Sequence, residues 1–87
     1  MRGDVLTTGN QLRAARGLVD MDQITLAKAA GVSANTIRSM EARKSETLSS
    51  GLDTIRGVQA ALEAAGVEFL NHGSPGVRLR GQGEGHP

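Results

Sequence analysis

The sequence contains no cysteine, tryptophan or tyrosine, and Phe69 is its single aromatic residue. Without cysteine, a disulfide scaffold, a thiolate zinc site and a thiol nucleophile are excluded, which fits a reducing compartment. Without large aromatics the core must come from alanine, leucine and valine, and eleven of the hydrophobic residues are alanine. Side chains this small favour short, closely packed helices over a sandwich or barrel. No apolar run approaches the roughly 20 residues of a membrane span, and no charged-then-apolar leader opens the chain. A cytoplasmic protein with no membrane partner is therefore expected. A charge excess is missing too: the formal net charge is +1, so composition alone announces no nucleic-acid partner.

What is there fits one mostly helical domain, because 87 residues are too few for two. Residues 1–8 form a lead-in, 9–66 read as helical, and 67–87 change character. The first helix is predicted over Gly9–Val19, capped by Thr7 or Thr8, with Leu12, Ala15 and Val19 as its apolar stripe. Gly17 inside it costs about 0.5–1 kcal/mol relative to alanine, so this helix depends on packing. The second starts at Gln23 with Asp22 as N-cap, packs Leu26, Ala27 and Ala30 inward, and ends at Gly31 in the left-handed conformation. Ser33 caps a third helix, Ala34 to Arg43, buried through Ile37 and Met40. A fourth spans Gly51–Ala65 with the stripe Leu52, Ile55, Val58, Leu62 and Ala65, and Gly66 stops it.

Beyond Gly66 the period becomes alternating. Val67–Leu70 and Val77–Arg80 read as two strands of a hairpin across the turn formers Asn71 to Gly76. An isolated hairpin is marginal in water and exposes strand edges. Val67 and Phe69, with Val77 and Leu79, therefore need a cover. The expected cover is a second copy in a two-fold homodimer; the alternative is the chain's own fourth helix. Residues 81–87 have nothing to bury and are expected to be disordered.

The informative stretch is Gln23–Lys44, two short helices joined only by Gly31, Val32 and Ser33. A tight glycine-containing turn fixes a crossing angle that lets one helix lie over a DNA backbone while the next enters the major groove. Any helical hairpin shares that outline. The residues add more: Gln23-x-x-Leu26-Ala27-x-x-x-Gly31-Val32-Ser33-x-x-Thr36-Ile37-x-x-Met40-Glu41-x-x-Lys44, preceded by Leu12-Arg13-x-x-Arg16. This pattern resembles the phage-repressor and Cro-type (Xre) helix-turn-helix family over residues 9–66, and the C-terminal part is similar to small bacterial members with an appended β-hairpin.

The resemblance implies a lambda-repressor-like, four-helix domain with a short hairpin. It also implies a transcriptional regulator, usually a repressor, that binds double-stranded operator DNA as a homodimer with no cofactor. Ala34, Asn35, Arg38 and Ser39 fall at its base-facing positions, and they also lie off the Ile37/Met40 core face. Asn35 suits adenine, and Arg38 suits guanine or a phosphate. Gln23 is implied to hold a DNA phosphate at the start of the second helix, with Thr36, Arg43 and Lys44 as further phosphate contacts. Arg16 and Glu41 correspond to a family ion pair tying the first helix to the third. Two departures stand out: Arg43 replaces a glycine common before the closing lysine, and Asp20-Met21 replaces a glycine or aromatic. Asp20 tolerates a left-handed conformation better than most residues.

Rival readings stay open. Arg38, Arg43 and Lys44 lie among Glu41 and Glu46 and also read as a solvated face. The helical pair also suits a protein-interaction module, such as an antitoxin or anti-activator that grips a regulatory partner. An enzyme is disfavoured, because Ser33, Ser49 and Ser50 have no His–Asp partners and no carboxylates cluster. His72 and His86 lack the company a metal needs, Arg2-Gly3-Asp4 reads as chance, and Gly81-x-Gly83-x-Gly85 opens no helix that would cradle a phosphate. The length leaves no room for an effector domain, so no small-molecule substrate is expected.

Overall fold

In a computed structural model, which describes residues 5–71 and 74–80, four helices precede a two-stranded antiparallel hairpin. They are α1 (Gly9–Leu18), α2 (Gln23–Ala30), α3 (Ala34–Glu41) and α4 (Leu52–Ala64), followed by β1 (Val67–Leu70) and β2 (Gly76–Leu79). The expectations for Arg2-Gly3-Asp4, His72 and residues 81–87, His86 included, lie outside the described residues. No helix among the described residues is long and apolar enough to cross a membrane.

Local chemistry sets the helix starts. Thr8 accepts from the Gln11 backbone at 3.2 Å, and the Gln11 side chain reaches back to the Thr8 N–H at 3.1 Å, closing a capping box. Asp22 and Ser33 cap α2 and α3 by accepting from Thr25 N and Thr36 N. Gly31 ends α2 at φ 74°, where a Cβ would be strained. Asp20 also sits in the left-handed region, at φ 54°, which lets α1 turn into α2 without a glycine.

Several element ends, and one apolar stripe, differ from the sequence expectation: α1 stops one residue early at Leu18, and α4 is one residue shorter at each end. The third helix stops at Glu41, not Arg43, because the next turn tightens: Arg43 N bonds Met40 O and Lys44 N bonds Glu41 O, each three residues back. Lys44 then takes φ 54°. On α4 the stripe is shorter than five positions. Leu52, in the first turn, is 61% exposed and Ala65 lies on the surface, while Val58 and Leu62 are fully buried with Ile55 packed beside them. The second strand begins one residue early, at Gly76.

Leu12 and Ala15 of α1, Leu26 and Ala27 of α2, Ile37 and Met40 of α3 and Val58 and Leu62 of α4 meet in one core. Two segments read as peripheral join it. Leu6, in the lead-in, is buried. The hairpin pairs Val67 with Leu79 and Phe69 with Val77, and Val67 and Phe69 are 0% and 3% exposed within the single chain. Their expected role as dimer contacts is therefore corrected: the cover comes from the chain itself. The reason is that β1 packs against both α4 and α1, so the apolar face has no need of a second copy. Val77 is half-buried against the same core and β2 also packs on α1, which leaves Leu79, at 36% exposed, as the apolar hairpin residue open to water.

Gln11 fixes the hairpin in place. Its buried amide oxygen accepts from Thr7 N at 2.7 Å and from Thr8 N, and its nitrogen donates to the Leu70 and Gly76 carbonyls at 3.3 and 3.1 Å. Four backbone groups from three segments are thus satisfied by one side chain. Asn71 adds a second tie, accepting from Val5 N and donating to Thr7 Oγ1.

Candidate nucleic-acid interface

The site is built on the α2–turn–α3 unit. Gly31 reverses the chain, Val32 N bonds Ala27 O at 2.9 Å, and Ser33 restarts it, so α3 leaves the turn in a fixed direction. The Ile37 and Met40 side chains anchor α3 to the core, which sends the intervening residues outward. Asn35, Arg38 and Ser39 are exposed on that outer face. Ala34 is not: it is half-buried against the core, one turn before the buried Ile37. The exposed face therefore consists of Asn35, Arg38 and Ser39, and Arg38 Nη1 donates to Asn35 Oδ1 across one turn.

Behind this face lies a polar clamp. Arg16 Nε donates to Glu41 Oε2 at 2.6 Å and Arg16 Nη2 to Oε1 at 2.9 Å, a two-pronged grip between α1 and the end of α3. The side chains are 18% and 8% exposed, so the pair is mostly withdrawn from water. Arg16 Nη1 also donates to the Met21 carbonyl at 3.0 Å, which draws in the α1–α2 connection. Hydrogen bonding to Glu41 raises the Arg16 pKa above its ordinary value, so the guanidinium is charged throughout the physiological range.

Four residues expected at phosphates divide by environment. Gln23 Nε2 donates to Glu41 Oε1 at 3.1 Å, so its amide extends the clamp and its start-of-helix position lies beside the ion pair. Thr36 is half-buried with its hydroxyl 3.0 Å from Ser33 Oγ. Arg43 folds onto its own loop, donating from Nε and Nη2 to Thr47 O at 3.1 and 3.0 Å, with Glu46 3.7 Å away. Lys44 is exposed in the turn that follows α3. Asn35, Arg38 and Ser39 are thus exposed along α3 and Lys44 is exposed beyond its end, while Gln23 and Arg43 already hold partners within the chain.

At the α2 start, the Asp22 carboxyl is held below the usual aspartate range because the Thr25 backbone N–H donates to it. A negative charge there suits the positive end of the α2 dipole. Among the described residues no group of three His, Cys, Asp or Glu side chains is placed to hold a metal ion.

Two residues that shape the fold were not singled out from the sequence, one beside α3 and one at the hairpin. Gly9 runs so close to the end of α3 that an added Cβ would lie 2.4 Å from the Met40 carbonyl oxygen and 2.9 Å from Glu41 O and Lys44 N. Asn10 N seals the contact by donating to Lys44 O at 2.9 Å. Gln11 is the other, and the Thr8-x-x-Gln11 spacing of a capping box was its available signal. For Gly9 no local signal exists, since the constraint is a neighbour 31 residues away in Met40.

Compared with known proteins, the chain matches no family model and no curated protein.

Proposed function

We propose that this chain is a sequence-specific, DNA-binding transcriptional regulator of the lambda-repressor-like helix-turn-helix type, most simply a cytoplasmic repressor. The observation that carries the reading is the outward face of α3. Asn35, Arg38 and Ser39 stand exposed just past a three-residue turn, on a helix clamped from behind by Arg16 and Glu41. In this reading α3 enters the major groove, the exposed polar side chains meet base edges, and Lys44 meets a phosphate at the far end. Gln23 contributes through the α2 N-terminus, with its amide oriented by Glu41. The mechanism is non-catalytic: a bound regulator occludes polymerase from the site it covers.

Operator binding as a homodimer belongs to the same proposal. With Val67 and Phe69 buried, the proposed contact is the second hairpin strand, where Leu79 is partly exposed and a two-stranded sheet leaves unpaired edges. Light scattering at tens of micromolar is expected to give twice the chain mass, and a monomer there contradicts the dimer.

A second reading has one observation in its favour. Ile24 on α2 and Leu52 on α4 are large apolar side chains left 64% and 61% exposed. A partner protein, as for an antitoxin or anti-activator, would cover such side chains. Titration of a labelled chain with a random duplex, followed by amide NMR, separates the two. The proposed function expects shifts at Asn35, Arg38, Ser39 and Lys44; an unperturbed α3 contradicts it.

A further inference from the structure

Asn35 and Arg38 act as one unit on the exposed face of α3. They stand three residues apart, and Arg38 Nη1 donates to Asn35 Oδ1. The polarity of that bond is fixed by chemistry, because a guanidinium carries only donors and the amide must turn its oxygen toward it. Asn35 Nδ2 and the remaining Arg38 N–H groups are then what the pair presents outward, and all of them are donors. Glu41, the one carboxylate on α3, is already engaged by Arg16 and Gln23, and Glu46 lies beside Arg43. Among the described residues no carboxylate pairs with Arg38.

An array of donors discriminates between bases. In the major groove guanine offers two acceptors, O6 and N7, which a guanidinium matches with two N–H groups. Adenine offers one acceptor, N7, and one donor, its N6 amino group. An asparagine reads adenine by giving its oxygen to N6 and its nitrogen to N7, but the Asn35 oxygen here faces Arg38. Adenine in this place would set its amino group against the guanidinium. Guanine meets acceptor with donor at both atoms.

We propose that Asn35 is a positioning residue for Arg38, and that the pair selects guanine through Arg38, not adenine through Asn35. This deepens the DNA-binding reading and rests on it. The asparagine holds the long arginine side chain in one arrangement before contact, which lowers the ordering cost of docking it.

The test is selection of duplexes from a randomised library by the full chain, followed by affinities for the selected duplex and its variants. Guanine is expected at one position of the enriched site, and replacing it by 7-deazaguanine should weaken binding at least about fivefold. Arg38→Ala should erase the preference for G·C over A·T at that position. Asn35→Ala should keep guanine preferred while lowering the preference about two- to tenfold. Both side chains are exposed, and equal melting curves check that each variant is folded. An enriched adenine whose preference disappears with Asn35→Ala overturns this inference and leaves the DNA reading standing. So does a guanine preference that Asn35→Ala leaves unchanged. No enrichment and no duplex binding by the unaltered chain removes the DNA reading itself, and this inference with it.

Discussion

Arg16 grips Glu41 with two nitrogens, joining α1 to the far end of α3 across 25 residues of sequence, and Gln23 adds a third donor to the same carboxylate. Among the described residues, no other side chain links three helices in this way. The orientation of α3 relative to the rest of the domain therefore depends on a carboxylate that lies outside the exposed face.

Removing either partner leaves the other charge largely withdrawn from water. Arg16→Ala is expected to cost about 3 kcal/mol, the low end of the range for buried pairs because the arginine keeps some exposure. Urea unfolding checks the value. Loss of less than about 1 kcal/mol, the range of surface pairs, contradicts the clamp as a structural element.

Gly9 and Gly17 make opposite predictions on one helix. Gly9→Ala places a methyl against backbone atoms of α3 that cannot rotate away, so a loss of roughly 1–3 kcal/mol is expected. Gly17 has nothing within 4 Å of an added Cβ, and Gly17→Ala should stabilise by about 0.5–1 kcal/mol. Thermal unfolding of the two variants side by side tests the close packing of α1 on α3; the same sign for both contradicts it.

Gln11→Leu keeps the size of the side chain and removes its hydrogen bonds. The Thr7 and Thr8 N–H groups and the Leu70 and Gly76 carbonyls lose a partner together. Each buried backbone group left unsatisfied costs about 1–3 kcal/mol. Hydrogen exchange should show the hairpin amides losing protection before those of α3. Equal loss in both elements contradicts Gln11 as the anchor of the hairpin.

The cap at Asp22 carries a pH dependence. Its pKa is lower in the folded chain than in the unfolded one, so its contribution is fully present above the ordinary aspartate value of about 3.9. That contribution is lost as the pH falls through the lowered folded value. The stability gap between the unaltered chain and Asp22→Ala should therefore close in strong acid and stay constant between pH 6 and about 8. A gap that widens on acidification contradicts the assignment.

Features decided by a few neighbouring residues were legible in the sequence. Asp22, Gly31 and Ser33 marked the ends of α2 and α3 because capping and the left-handed turn are local chemistry. The Ile37/Met40 spacing gave the buried side of α3, and so its outer side. Features decided by distant partners were not. Leu52 follows the helical period yet faces water at the first residue of α4. Val67 and Phe69 look unpartnered in isolation, but α1 and α4 cover them. Gln23 and Arg43 carry groups suited to a phosphate, while their hydrogen bonds to Glu41 and Thr47 O appear only once the chain is folded. Ala34 misleads for a related reason, as its side chain is small enough to lie at the edge of the core.

That the outer face of α3 engages DNA is tested most directly by fluorescence anisotropy of the full chain with a labelled duplex over a series of salt concentrations, alongside the double variant Asn35→Ala/Arg38→Ala. The expected result is a linear fall of log affinity with log salt, with a slope of about 0.9 per phosphate neutralised, and a large loss of affinity for the folded double variant. Affinity that does not change with salt, or a double variant that binds a selected duplex as tightly as the unaltered chain, contradicts the assignment.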